Sequence, residues 1–341
     1  MSDRVTGLGQ TIDDYEMMNG EVYLGDIIAQ IKLVYEGTKT DTVELYQLEI
    51  DDDILTHPSL GQMVHLEDDD YEKLCKVVNI PSKYILKLNK RMRKMNLEYW
   101  FEEMEDSEVT ITYRSDQIIE IKDHDEIKPL DVLEIVRGAM PNAKIFKVTN
   151  QTNSQIYDIY DEDARYFTEN DSYYGGLRIV LKKGLNAPDI SPIFLNMGSC
   201  GIIECSTYLE KIIIKSLTYK DILRVIQERV VNCIEAAPML FNAFEKMCVE
   251  KVEQPHRRIA LYCREHAVPD RIKAYALQRF DEACLQTTTY EDIICLFSVI
   301  GYVEEVKQAS ERKMQQLAGY IIVKAKGEKR CSHCDATLIE D

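Results

Sequence analysis

An α+β fold is predicted for this chain, and three observations predict it. Apolar residues recur at helical spacing near the start, short alternating segments fill residues 105–216, and helical segments follow one another from 218 to 319. At 341 residues the chain is long enough for a sizeable core. The expected organisation is a flexible arm over 1–20, a single domain over 21–323 and a loose polar tail over 324–341.

Taken in order, Val22 to Tyr35 places Leu24, Ile27, Ile28, Ile31 and Val34 on one helical face. Thr42 to Ile50 alternates and reads as a strand. Asp68 to Asp70 lead into a short helix, Tyr71 to Val78, where carboxylates complement the helix dipole. Asn79-Ile80-Pro81-Ser82 breaks the chain and opens a basic helix. Val109–Tyr113, Gln117–Lys122, Lys144–Val148, Gly176–Lys182, Ser191–Met197 and Tyr208–Lys215 read as strands of a central antiparallel sheet. A helix over Lys128–Arg137, stopped by Gly138 and Pro141, interrupts them.

Thr218 and Asp221 form a capping signal for a helix that Pro238 interrupts or kinks and Pro255 ends. Further helices are expected at 270–283, at 290–300 and at 302–318, the last with Gly319 as its C-cap. The basic helix and the C-terminal helical group are expected to cover the sheet.

The formal net charge is −18 and the pI about 4.9, which argues against a general nucleic-acid coat. Against that background Pro81 to Asn96 stands out, with Lys83, Lys87, Lys90, Arg91, Arg93 and Lys94 and no acid. Spacings of three to four residues stack Lys83, Lys87, Lys90/Arg91 and Lys94 on one helix face, with Tyr84, Ile85, Leu88, Met92, Met95 and Tyr99 mostly on the other. Such a face can follow phosphates, since Lys and Arg supply the salt-dependent part of nucleic-acid affinity. The plainer reading is a solvated face paired with the protein's own acids, and a protein partner is the third.

The order of these pieces resembles the phage and plasmid protein family catalogued as domain of unknown function 932. Val78-Asn79-Ile80-Pro81-Ser82-Lys83-Tyr84-Ile85 is similar to that family's Ile-Pro-x-x-Tyr-Leu element, and Asn96 to the Asn that follows it. The strand leading into Ser115-Asp116, the segment Gly175-Gly176-Leu177-Arg178-Ile179 and the closing helices Asp292 to Gly319 resemble later members of the same series. The likeness covers residues 70–325 and rests on order, since each motif is short. The chain departs from it at Leu195 to Gly198 and Lys211 to Lys215, where the family has Asn-Ser-Glu and Cys-x-Asn-Gly. The resemblance implies mobile-element origin and DNA metabolism, with no settled activity and no catalytic residue.

Other clusters carry weaker signals. Cys331, His333 and Cys334 make half of a zinc knuckle, and zinc needs four ligands, so a metal there requires a further group. The ten cysteines fall mostly in apolar segments and read as reduced core thiols, which with the polar N-terminus predicts a cytoplasm, the host's for a phage-encoded chain, or a virion. Asp51–Asp53, Glu67–Asp70 and Asp161–Asp163 read as solvated loops and helix starts ahead of Mg²⁺ sites. Tyr157, Tyr160, Tyr166, Phe167, Tyr173 and Tyr174 read as an acidic, aromatic loop suited to a protein or subunit contact. Cys263 with His256 or His266 is a conceivable nucleophile pair but a better core thiol.

No phosphate-loop, nucleophile-elbow or zinc-protease motif occurs, so the reading leans away from an enzyme. No apolar run predicts a membrane span. The leading expectation is a homo-oligomeric mobile-element accessory that binds single-stranded or other nucleic acid without catalysis, of the annealing or recombination type. The alternative is a structural, assembly or host-interaction protein acting through acidic surfaces.

Overall fold

The structure is a computed structural model that describes residues 22–327 except 61–62, 105–106, 124–126, 152–153, 183–187, 197, 200, 207–217, 284, 286 and 301–307. The expected arm, the strand at 208–215 and the tail from 328 on, with Cys331, His333 and Cys334, lie outside the described residues, while 324–327, expected in the loose tail, end a helix. The fold is α+β. Its packing divides the chain into two units, one built on residues 28–128 and the other on 18–27, 129–182 and 187–341. A strand β1 (Val22–Tyr23) and a helix α1 (Leu24–Tyr35) open the described chain.

The first unit carries β2 (Lys39–Glu44), β3 (Glu49–Asp51), β4 (Ile54–Thr56), β5 (Val64–His65), α2 (Asp68–Val77), α3 (Ser82–Ile85), α4 (Lys90–Glu103), β6 (Glu108–Arg114) and β7 (Gln117–Asp123). Its strands form a mixed sheet in the order β2-β6-β7-β5-β4-β3. Residues 42–50 are thus not one strand. Leu45 and Leu48 both turn into the core, and a 3-10 turn at Leu45–Gln47 separates β2 from β3. The hairpin from β3 to β4 turns on two residues, Asp52 and Asp53, with φ of 49° and 65°. That positive-φ pair has the handedness tight hairpins need, and Asp tolerates it better than most side chains. Tyr71, Leu74 and Cys75 of α2 and Leu97 and Phe101 of α4 bury against the sheet residues Ile50, Leu55, Val109, Ile111 and Tyr113.

The second unit carries α5 (Pro129–Ala139), β8 (Ala143–Gln151), β9 (Ser154–Phe167), β10 (Ser172–Lys182), β11 (Asp189–Asn196), β12 (Ile202–Glu204), α6 (Tyr219–Cys248), α7 (Pro255–Glu265), α8 (Asp270–Glu282), α9 (Tyr290–Ile300) and α10 (Gln308–Gly327). Its sheet is antiparallel throughout, in the order β1-β8-β9-β10-β11-β12. The strands expected in one sheet are therefore shared between two, with Val109–Tyr113 and Gln117–Lys122 belonging to the first unit's.

Three helix boundaries differ from expectation. Helix α6 runs unbroken through Pro238 to Cys248. Pro255 starts α7 instead of ending a helix, since a proline at the first helical position gives up a donor that has no partner there anyway. Gly319 lies inside α10, not at its end. A Cβ at 319 would run into the backbone of Glu204 and Cys205, so the glycine is what lets α10 lie directly on β12.

The aromatic loop is a correction of a different kind. Its residues form the long β9–β10 hairpin, and Tyr157, Tyr160 and Tyr173 are core side chains. Tyr166 stacks on Phe241 with ring centroids 4.7 Å apart, and Arg165 lies over the Tyr174 ring. Only Phe167 of the set is exposed, so the group offers no cluster of exposed rings.

Candidate nucleic-acid interface

The basic segment folds as two helices, not one. The first ends after a single turn at Ile85, and Asn89 caps the next, accepting a hydrogen bond from the Met92 amide at 3.0 Å. The first turn of α4 holds Lys90, Arg91 and Arg93 and no acid. That placement opposes the helix dipole, which favours negative charge at this end. The missing acids come from elsewhere in the same unit. The Lys90 ammonium lies 2.6 Å from Asp53 and 3.5 Å from Asp52, and Lys94 lies 3.3 Å from Asp51 and 3.9 Å from Glu98. The acidic triplet and the basic helix, met as separate motifs in the sequence, are each other's counterions.

Asp53 shows the coupling. Burial works to raise its carboxyl pKa, but the hydrogen bonds from Lys90 and Tyr71 outweigh it and hold the group below the usual carboxylate range. The hydrogen bond to Asp53 in turn raises Lys90.

Arg93 is a structural staple. It donates to the carbonyls of Leu86 and Leu88 at 2.8 and 3.1 Å, and to Asp68 at 3.0 Å, and its guanidinium lies over the Tyr71 ring. Those two carbonyls belong to the break between α3 and α4, where no helical amide is placed to serve them. Three of the six cations are thus engaged. Lys83, Lys87 and Arg91 are exposed, and their side chains meet no carboxylate among the described residues.

The apolar side of α4 is the larger surprise. The expected arrangement put Met92, Met95 and Tyr99 opposite the cations, the natural choice for a buried face. The structure buries Leu97 and Phe101 instead, with Arg93 and Lys94 half-buried on their flanks. Met92, Met95 and Tyr99 point outward, at 41%, 55% and 55% exposure. Tyr84 joins them, its hydroxyl 3.3 Å from the Asn96 side-chain oxygen, and Trp100 packs edge-on against Tyr99. The expected faces assumed one continuous helix, and the break at 86–89 splits them: Ile85 is buried while Met92, Met95 and Tyr99 are exposed, and the acids that hold Lys90 and Lys94 come from a distant hairpin.

A second cluster had no motif to announce it. In the second unit Arg178 donates to both carboxylate oxygens of Asp158, to Glu204 at 2.7 Å and to Gln315 at 2.6 Å. Arg312 and Gln316 also donate to Glu204, as does Ser191 at 3.1 Å. Burial pushes the Glu204 pKa up, and the Arg178 and Arg312 charges more than reverse this, holding it at about 2. The adjoining cavity measures about 20 Å³, room for one or two waters. The cluster's charged groups are all hydrogen-bonded to one another, so it pins α10 to the sheet. The available signal was a single arginine in the apolar strand run Gly176–Leu181 and a single acid in Ile202–Cys205.

The remaining candidates resolve into packing. Cys263 is buried, with its thiol pushed up to about 11 by that burial. His256 bonds Asp281 at 2.6 Å, and His266 packs edge-on against Tyr320, so neither addresses the Cys263 sulfur. Glu162 pairs with Lys144 at 2.7 Å and Asp163 accepts from Asn142 at 2.7 Å. No helix among the described residues is long and apolar enough to cross a membrane. No family model, curated protein or solved structure matches the chain.

Proposed function

We propose that the first unit binds nucleic acid without catalysis, as an accessory of mobile-element DNA metabolism, and that Lys83, Lys87 and Arg91 make the phosphate contacts. The observation that carries this reading is the exposure of those three cations, free of acids among the described residues, in a chain of net charge −18. An acidic protein that leaves cations unpaired on one short segment has kept a local positive field for an outside anion. Lys90 and Lys94 form a reserve. Their partners Asp51 and Asp52 are exposed, and phosphate can replace those two carboxylates at little cost, while the closer pair of Lys90 with the half-buried Asp53 holds more firmly. Arg93 takes no part, since its hydrogen bonds hold the α3–α4 break together.

A salt series on single-stranded oligonucleotides tests the reading. Three phosphate contacts predict a slope of log affinity against log salt near −2, from about −0.7 per contact. The triple change Lys83→Glu, Lys87→Glu, Arg91→Glu is expected to abolish binding while leaving the thermal midpoint unchanged. Salt-insensitive binding, or none at low ionic strength, refutes it.

The alternative is a protein-interaction role in assembly or against a host protein. Its supporting observation is now the exposed Met92, Met95, Tyr99 and Trp100, residue types enriched at protein interfaces, and no longer the aromatic hairpin.

A further inference from the structure

The outward face of α4 has no role in phosphate contact, yet it is the largest apolar feature on the surface of the basic segment. Tyr84, Met92, Met95, Tyr99 and Trp100 are each 39–55% exposed. Met92, Met95 and Tyr99 follow one another at three- and four-residue spacing and so form a continuous stripe along the helix. Tyr84 reaches this stripe from α3 through Asn96, and the Tyr99 and Trp100 rings touch at a centroid distance of 5.7 Å. An amphipathic helix normally turns such a stripe inward. Here the inward face is held by Leu97 and Phe101, flanked by half-buried Arg93 and Lys94 that are anchored to acids of the same unit.

We infer that this stripe takes unpaired bases, so that the site selects single-stranded over duplex nucleic acid. The inference rests on the phosphate-binding reading above and names its substrate class. Aromatic rings and methionines accept the faces of bases, and a duplex keeps those faces stacked on one another. Charge decides the occupant. The free cations belong to the same segment as the stripe, Lys83 next to Tyr84 and Arg91 next to Met92, which suits a strand whose phosphates and bases must be held side by side. Glu102 and Glu103 are exposed just beyond Tyr99. They repel phosphate and set the end of the footprint, so the site holds a few nucleotides only.

The chain contains one tryptophan, Trp100, and it sits at the edge of the stripe, so its fluorescence reports on the site directly. The full-length protein is titrated with labelled (dT)20 and with a 20-base-pair duplex at low salt, reading label anisotropy and tryptophan emission. The expected result is affinity for (dT)20 at least about tenfold above that for the duplex, with emission quenched by (dT)20 alone. Tyr84→Ala and Tyr99→Ala are each expected to weaken (dT)20 binding roughly tenfold, the usual range for losing one base stack, without changing duplex affinity or the salt slope. Both side chains are exposed, and unchanged thermal midpoints confirm that the variants fold. Equal affinity for both nucleic acids with unchanged emission overturns the inference and leaves phosphate binding standing. Absence of binding to either removes both. Shielding of Trp100 from acrylamide as the protein alone is concentrated overturns the inference in favour of a second copy on the stripe.

Discussion

The Arg178 cluster and the Lys90 cluster contain the same chemistry, basic side chains held against carboxylates, and differ in water. Around Arg178 the paired side chains of Arg178, Asp158 and Glu204 are 4%, 2% and 0% exposed. Around Lys90 the corresponding values are 62% for the lysine, 83% for Asp52 and 18% for Asp53. In the dry cluster each ion has left solvent on folding, and its partners are its only compensation, so removing one strands the rest. In the wet cluster Lys90, Lys94, Asp51 and Asp52 stay in contact with water with or without their partners, so those pairs exchange easily, and Asp53 alone is shielded. Ion pairing therefore builds structure in one unit and leaves exchangeable charge in the other.

The sharpest way to break the comparison is at Glu204. Glu204→Gln removes the charge that faces both Arg178 and Arg312, leaving Arg178 to Asp158 and Arg312 to Asp189, and the loss of this buried partner is expected to cost about 3 kcal/mol in urea unfolding at neutral pH. The acid response follows from the carboxyl's depressed pKa, about 2 against an ordinary 4.5. A group held lower in the folded state stabilises it fully above the ordinary value and loses that contribution as the pH falls toward the folded one. Wild type should thus lose stability between about pH 4.5 and 2, and the variant should lack that part of the slope. Identical profiles for the two proteins would show that Glu204 is not the anchor described here.

A smaller effect separates the cations within the basic segment. Arg93→Ala removes hydrogen bonds to two otherwise unserved carbonyls and an ion pair, and is expected to cost about 2 kcal/mol. Lys87→Ala removes an exposed side chain with no partner among the described residues and should stay within about 0.5 kcal/mol. Chemical denaturation of the two variants side by side distinguishes a staple from a free cation. Equal effects would return Arg93 to the pool of binding residues.

These contrasts also show what local sequence can and cannot say. Helices α8 and α9 and the strands β8, β10 and β11 were legible because periodicity and capping are local properties, set by neighbours within a few residues. The basic segment was legible as a segment, but the break that splits it into two helices was not, so the expected apolar face divides between buried Ile85 and exposed Met92, Met95 and Tyr99. Which face turns inward was not legible, since that depends on Asp51, Asp52, Asp53 and Asp68, which approach from a separate hairpin and helix. Arg178 was invisible for the same reason, its partners lying 20, 26 and 137 residues away. The tyrosines of β9 and β10 misled in the other direction. Their interleaved acids read as a solvated loop, whereas a hairpin sends alternate residues to opposite faces and so buries Tyr157 and Tyr173. Gly319 reads locally as a helix end, and only the nearness of β12 explains it as a contact point.

The subtlest prediction concerns the wet cluster itself. If Asp51 and Asp52 are exchangeable counterions, then Asp51→Asn with Asp52→Asn should leave stability unchanged within about 0.5 kcal/mol, because both acids are exposed and asparagine adopts the positive φ of the turn as readily as aspartate. Asp53 stays in place, since it alone of the three accepts from both Tyr71 and Lys90. The same double change should strengthen binding of (dT)20 roughly threefold, the effect expected from removing two weak competitors for Lys90 and Lys94, and should make the salt slope steeper as those two lysines turn to phosphate. Stability lost without any gain in affinity would mean that the hairpin holds α4 in place as firmly as Glu204 holds α10. The difference between the two clusters would then be one of exposure alone, with no bearing on function.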